Sequence, residues 1–137
     1  MTKYFLICAS KDHVASGLEQ GIAQAGLGRK DFMSKLSKGD WIVNYSSKDK
    51  FENGKLYQKF TAVGQITNEE PYLPGTRKKF NPYRRNVDYK TSHETEIRPL
   101  IEKLGFIKNK KRWLSYLISG FKEISTDDFE NINQAMK

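Results

Sequence analysis

The run Tyr4-Phe5-Leu6-Ile7-Cys8-Ala9 contains no charged or amide side chain. A β-strand sends successive side chains to opposite faces, so a run without a polar side predicts a central strand covered on both faces. Working outward, Ser10-Lys11-Asp12-His13 opens a short helix with Val14 and Leu18 at helical spacing, ended near Gly21. Gly17 is unfavourable inside that helix. Residues 21–30 hold three glycines and read as a loop. Asp31 is expected to N-cap a helix burying Phe32, Met33 and Leu36, with Gly39 as its stop. Residues 41–46 form the next strand, with Trp41, Val43 and Tyr45 on one face and Ile42, Asn44 and Ser46 on the other. After the turn signal Asn53-Gly54, Phe60, Ala62, Gly64 and Ile66 alternate with Lys59, Thr61, Val63 and Gln65 along a long strand. A loop over 71–82 precedes a further strand near 84–89.

The C-terminal part reads as mostly helical. Pro99 suits the first turn of a short helix ending at Gly105. Trp113, Leu114, Leu117 and Ile118 make an apolar helical face closed by Gly120. Ser125 with Asp128 has capping-box spacing before a last helix burying Phe129, Ile132 and Met136. The expected architecture is one α+β domain over 1–137, a curved or barrel-like sheet with short helices at its periphery.

Charge is unevenly placed. The chain holds 24 Lys and Arg against 16 Asp and Glu, formally +8. Residues 1–70 are net +2 and 71–137 net +6, with six basic to one acidic side chain in 71–90. A one-sided positive field attracts polyanions. The clearest stretch is Phe80-Asn81-Pro82-Tyr83-Arg84-Arg85-Asn86-Val87-Asp88-Tyr89, just after Arg77-Lys78-Lys79. Rings there offer stacking faces to bases, and guanidinium groups offer planar forks to phosphates and base edges. Lys108, Lys110, Lys111 and Arg112 make a second basic run, read either as a solvated face or as a phosphate track. Arg77, Lys78 and Lys79 are assigned to phosphate contact with them.

Chemistry other than binding finds little support. Cys8 is the single cysteine, so it forms no internal disulfide, and within its apolar run it reads as a buried small hydrophobe. His13 and His93 lack partners at metal-ligand spacing, so no metal or cofactor is expected. Glu69 and Glu70 point to opposite faces and do not form a concerted carboxylate pair. A non-enzymatic, cytoplasmic, monomeric protein without a membrane span is the expectation. Trp113 reads as core, whereas Trp41 is open between core and pocket.

Residues 4–14 and the segment Gly39-Asp40-Trp41-Ile42-Val43-Asn44-Tyr45-Ser46 resemble the EVE domain. Glu69-Glu70-Pro71-Tyr72, Phe80-x-Pro82-Tyr83-Arg84-Arg85-x-Val87 and Ile97-Arg98-Pro99-Leu100 are similar to its small UPF0310-type members. That family belongs to the PUA-like superfamily, with YTH and ASCH domains among its relatives. The resemblance implies a mixed, barrel-like sheet and a pocket for a modified base in DNA or RNA. Phe5-Leu6-Ile7 with Ser10 and His13 resembles the opening strand and polar turn of YTH pockets, and Tyr45-Ser46 the end of the next strand. YTH domains place a tryptophan where this chain has Gly21-Ile22-Ala23-Gln24, so Gln24 is expected to bond a base edge, in a modified cytosine as readily as in an adenine.

The expected function is a non-catalytic reader of a modified base. Ser10, Lys11, His13, Gln24, Trp41, Tyr45, Ser46 and Tyr72 are the expected pocket, with Tyr83, Arg84 and Arg85 at its rim. Neighbouring strand positions face opposite ways, so the two arginines are expected to differ, one reading the ligand and one pairing with a carboxylate such as Asp88 or Glu70. A small-molecule or free-nucleotide sensor using the same pocket, or an enzyme acting on RNA or bases, are the competing readings.

Overall fold

A strand apolar on both sides belongs in the middle of a sheet, and β1 (Tyr4–Cys8) lies there, pairing parallel with β3 (Trp41–Lys48) and antiparallel with β7 (Phe121–Ile124). The computed structural model describes residues 1–24, 29–73 and 83–137. Among these, β4 (Leu56–Ile66) pairs antiparallel with β3, β5 (Arg85–Tyr89) with β4, and the two-residue β2 (Ile22–Ala23) with β5. A short β6 (Thr95–Glu96) joins β4 off the main path. The order β2-β5-β4-β3-β1-β7 makes a mixed sheet curled into an open half-barrel. α1 (Lys11–Gln20), α2 (Lys30–Ser34) and α3 (Thr126–Ala135) flank it, with 3-10 helices at Arg98–Lys103 and Lys110–Leu117.

The two faces of the sheet bury separate clusters. Leu6, Val43, Tyr45 and Phe60 join Trp113, Phe129 and Ile132 in the larger one. Phe5, Ile7, Ile42 and Ile66 join Met33, Leu36 and Phe121 in the smaller. Among the described residues, no helix is long and apolar enough to cross a membrane.

Several local expectations are corrected. α2 begins after Arg29, so Asp31 sits in its first turn rather than at its N-cap. Strict alternation along β4 fails because Asn44 pairs with Ala62 but Tyr45 with Phe60. This bulge at Thr61 puts Phe60 and Val63 into the same cluster. Leu114 and Ile118 are exposed, while Trp113 and Leu117 are buried. In an α-helix all four would share a face, but a 3-10 helix with a break at Arg112 turns neighbouring positions further apart. β2, β6 and β7 stand where no strand was expected; each is too short to carry a periodic signal.

The C-terminal helix follows its capping signal in part. Ser125 Oγ accepts the Asp128 N–H at 3.0 Å. The Asp128 carboxylate does not return to the cap; it accepts the N–H groups of Gly105 and Phe106 at 2.7 and 2.9 Å. That pair of bonds ties α3 to the turn after the first 3-10 helix.

Candidate functional site

Where β1 runs into α1, the carboxylate of Asp12 gathers donors. It accepts from Ser10 Oγ at 2.5 Å, from the His13 N–H at 2.8 Å and from the Phe51 N–H at 3.2 Å. Those bonds, led by the Ser10 hydroxyl, hold the carboxyl below its ordinary pKa. The Asp12 N–H in turn donates to Asp49 O at 3.0 Å. The turn after β3 is thereby fastened to the first turn of α1. His13 stacks on Phe51 with centroids 4.9 Å apart.

Behind His13 lies an inner hollow of about 200 Å3, walled by Gly17, Ala23, Gln24, Asn44, Arg84 and Tyr89. Gly17 explains itself here, because a Cβ at that position would stand 2.7 Å from Ile22 O. The helix interior accepts a glycine in exchange for close approach of α1 to β2. Tyr89 Oη donates to Ile22 O at 2.8 Å, and burial raises its pKa. In front lies an outer hollow of about 370 Å3, lined by Cys8, Ser10, Lys48, Lys50 and Phe51. Ala9, His13 and Gln24 line both, so the two are adjoining compartments.

The inner hollow has an electrostatic peculiarity. Among the described residues, four buried side-chain polar atoms lack a hydrogen-bond partner: Gln24 Nε2, Asn44 Oδ1, Arg84 Nε and Tyr45 Oη. The first three belong to residues lining this one hollow. Each such atom costs about 1–3 kcal/mol when left unpaired. The Arg84 group can only donate, while the two amides can present either atom by turning over.

The expected site residues divide sharply. Ser10, His13, Gln24 and Arg84 line the hollows. Lys11 does not, being ion-paired with Glu94, which also accepts from Tyr57 Oη. Trp41 and Tyr45, expected in the pocket, line neither hollow. They lie on the face of β3 opposite Asn44, Trp41 packing on Phe129 at 5.7 Å and Tyr45 on Phe60 at 5.6 Å, both at the larger cluster. Burial pushes the Tyr45 phenol up to about 12. Ser46 is fully buried and bonded to Thr61 Oγ1 at 2.9 Å. Tyr72 bridges to Arg84 through paired backbone bonds of 2.8 and 3.0 Å, and its hydroxyl donates to Asn86 Oδ1 at 2.6 Å. Tyr83 packs at the smaller cluster beneath the Lys30 ammonium.

Arg85, expected at the rim, is fully buried. Its guanidinium donates to Met33 O at 2.9 Å, to Leu36 O, and to Asn68 Oδ1 and O at 3.0 and 2.5 Å. The Met33 and Leu36 carbonyls lie at the C-terminal end of α2, so the arginine closes that end of the helix as a C-terminal cap. Among the described residues no carboxylate stands within ion-pair distance of it, neither Asp88 nor Glu70; Asp88 pairs instead with Lys90 at 2.6 Å. Burial lowers the Arg85 pKa.

Of the basic runs, Lys108, Lys111 and Arg112 are exposed, and Lys110 Nζ donates to Leu104 O at 2.9 Å. They flank Ile107 and Trp113 of the larger cluster and line neither hollow. Arg77, Lys78 and Lys79 lie outside the described residues. Cys8 is half-buried, with its thiol pushed up to about 12 by burial, which suits packing and not nucleophilic attack. Sequence reasoning missed Asn44, Tyr89 and Phe51. Asn44 was the findable one, an amide in the centre of an otherwise apolar strand.

The EVE domain family model matches residues 3–135. A UPF0310 protein of Mycolicibacterium gilvum is 43% identical over 127 residues, covering 93% of this chain and 90% of that protein. UPF0310 protein YdcG of Bacillus subtilis is 35% identical over 135 residues, covering 98% and 92%. Among solved structures, the Mmi1 YTH domain aligns with a TM-score of 0.62 at 10% identity over 98% of this chain and 75% of that one. The YTH domain of the Zygosaccharomyces rouxii MRB1 protein, in complex with N6-methyladenosine RNA, aligns at 0.62 and 13% over 97% and 85%.

Proposed function

The chain belongs to the EVE domain family, and from that premise we propose that it is a non-catalytic nucleic-acid-binding module that draws a modified base into the inner hollow. The observation that carries the reading is the set of unpartnered polar atoms on Gln24, Asn44 and Arg84 around one small space. Two donors and one acceptor complement an edge with two acceptors and one donor. The pairing edge of cytosine has that count, and adenine offers an amino donor beside ring-nitrogen acceptors. A hollow of about 200 Å3 is smaller than the roughly 300–1,000 Å3 of drug-sized sites. It suits one ring system more than a whole nucleotide.

A base reaches such a space only when unstacked, from a single strand or by extrusion from a duplex. Support for a polynucleotide comes from the net charge of +8 and from the RNA bound to the Zygosaccharomyces YTH domain. Thermal shift with modified nucleosides, and with oligonucleotides containing them, tests the reading, since a ligand that binds only the native state raises Tm. One modified base should raise Tm, and Asn44→Ala should remove the effect. A nucleoside that binds as tightly as its oligonucleotide would make the protein a free-ligand sensor. Silence across both sets would refute base reading.

A further inference from the structure

We propose that the outer hollow is a second nucleotide subsite, in which Phe51 stacks the base next to the one held in the inner hollow and Lys48 and Lys50 take the intervening phosphate. The inference deepens the base-reading proposal and rests on it for the occupant of the inner hollow.

Phe51 is 55% exposed, although its backbone is fixed by the Asp12 carboxylate and one ring face is covered by His13. An aromatic ring held rigid and left open offers a stacking surface without an ordering cost. The turn that carries it is braced within itself as well. The Asp49 N–H donates to Lys55 O at 3.0 Å, the Lys55 N–H to Asp49 Oδ1 at 2.8 Å, and a Cβ at Gly54 would stand 2.2 Å from Lys50 O. Lys48 at the end of β3 and Lys50 in the turn are exposed and line the hollow. Cations beside an open ring match a phosphate joined to a base. The compartments meet at Ala9, His13 and Gln24, so a chain leaving the inner one passes the His13 edge and enters the outer. The inner space at about 200 Å3 houses a ring, leaving sugar, phosphate and neighbour to the outer 370 Å3.

The test uses fluorescent 12-nucleotide single strands, as DNA and as RNA, unmodified or carrying one 5-methylcytosine or N6-methyladenine, titrated against the whole protein. Phe51→Ala should weaken binding of every strand the parent binds by roughly tenfold, within the range for loss of one stacked base. Phe51→Trp should restore it, and the affinity for a free modified nucleoside should not change in either variant. A strand with an abasic site on either side of the modified base should bind parent protein more weakly from one side only, and Phe51→Ala should erase that difference. Parent-like strand binding by Phe51→Ala at an unchanged Tm overturns the subsite and leaves the inner hollow standing. A parent that ignores the modification but loses strand affinity on Phe51→Ala keeps the subsite and refutes base reading. Absence of strand binding by the parent overturns both. Equal response of DNA and RNA places recognition in stacking and phosphate, whereas a preference for RNA adds the 2′-hydroxyl.

Discussion

Arg84 and Arg85 are chemically identical and adjacent, yet the pleat sends them to opposite environments. Arg85 caps the end of α2 from a fully buried position, and Arg84 leaves an unpaired Nε at the inner hollow. Arg85→Lys keeps the charge but cannot serve four acceptors in a plane, so at least one of Leu36 O, Asn68 O and Asn68 Oδ1 loses the donor it has here. We expect a loss of about 2–3 kcal/mol in chemical denaturation. Arg84→Lys should stay within about 0.5 kcal/mol of the parent and lose about 1–3 kcal/mol of preference for the modified base. Equal denaturation midpoints for the two variants would contradict this division. The tryptophans make a companion case. Trp41 packs against Phe129 and Trp113 is buried, both at the larger cluster, so ligand entering the inner hollow should leave tryptophan emission unchanged. A ligand-induced change lost in Trp41→Phe would return Trp41 to the site.

At the scale of elements, much of the fold was legible and its reasons are visible. β1 was readable because burial on both faces removes polar residues from every position. α3 was readable because its cap and its apolar spacing agree. The strands that escaped notice, β2, β6 and β7, are two, two and four residues long and exist through pairing with distant partners. The site was less legible, since a hollow arises where α1, β2, β3 and β5 meet, and no local pattern encodes that meeting. Face assignment along the strand of Trp41 and Tyr45 was correct; which face opens to the hollow depends on the rest of the sheet. Gly17, which looked like a flaw in α1, marks the contact that brings helix and β2 together. Gly17→Ala should improve helix propensity by up to about 1 kcal/mol. It should still destabilise the protein by about 1–3 kcal/mol, because the obstacle at 2.7 Å is backbone. A more stable Gly17→Ala variant would mean that α1 can move off β2. The Asp12 hub gives a pH signature. Its folded pKa is depressed, so its contribution is present above the unfolded value and fades as pH falls through the folded one. The Phe51 turn should therefore loosen in acid, read as a lower protection factor of the Phe51 amide against its intrinsic exchange rate at the same pH, and Asp12→Asn should show that looseness at neutral pH.

Across the whole molecule the positive charge occupies more than one place. Lys48 and Lys50 border the outer hollow, whereas Lys108, Lys111 and Arg112 sit beside Ile107 and Trp113 of the larger cluster and line neither hollow. A phosphate in contact releases counterions and sets the salt slope of binding, while a distant charge raises the field that steers a strand to the surface. The two sets should separate by experiment. Lys48→Gln with Lys50→Gln should reduce the slope of log affinity against log salt by roughly two. Replacing Lys108, Lys111 and Arg112 by Gln should slow association at low salt and leave that slope and the preference for a modified base nearly unchanged. If the second set lowers the slope as much as the first, the strand continues around the edge of the half-barrel, and the phosphate track first read from residues 108–112 is a contact surface in its own right.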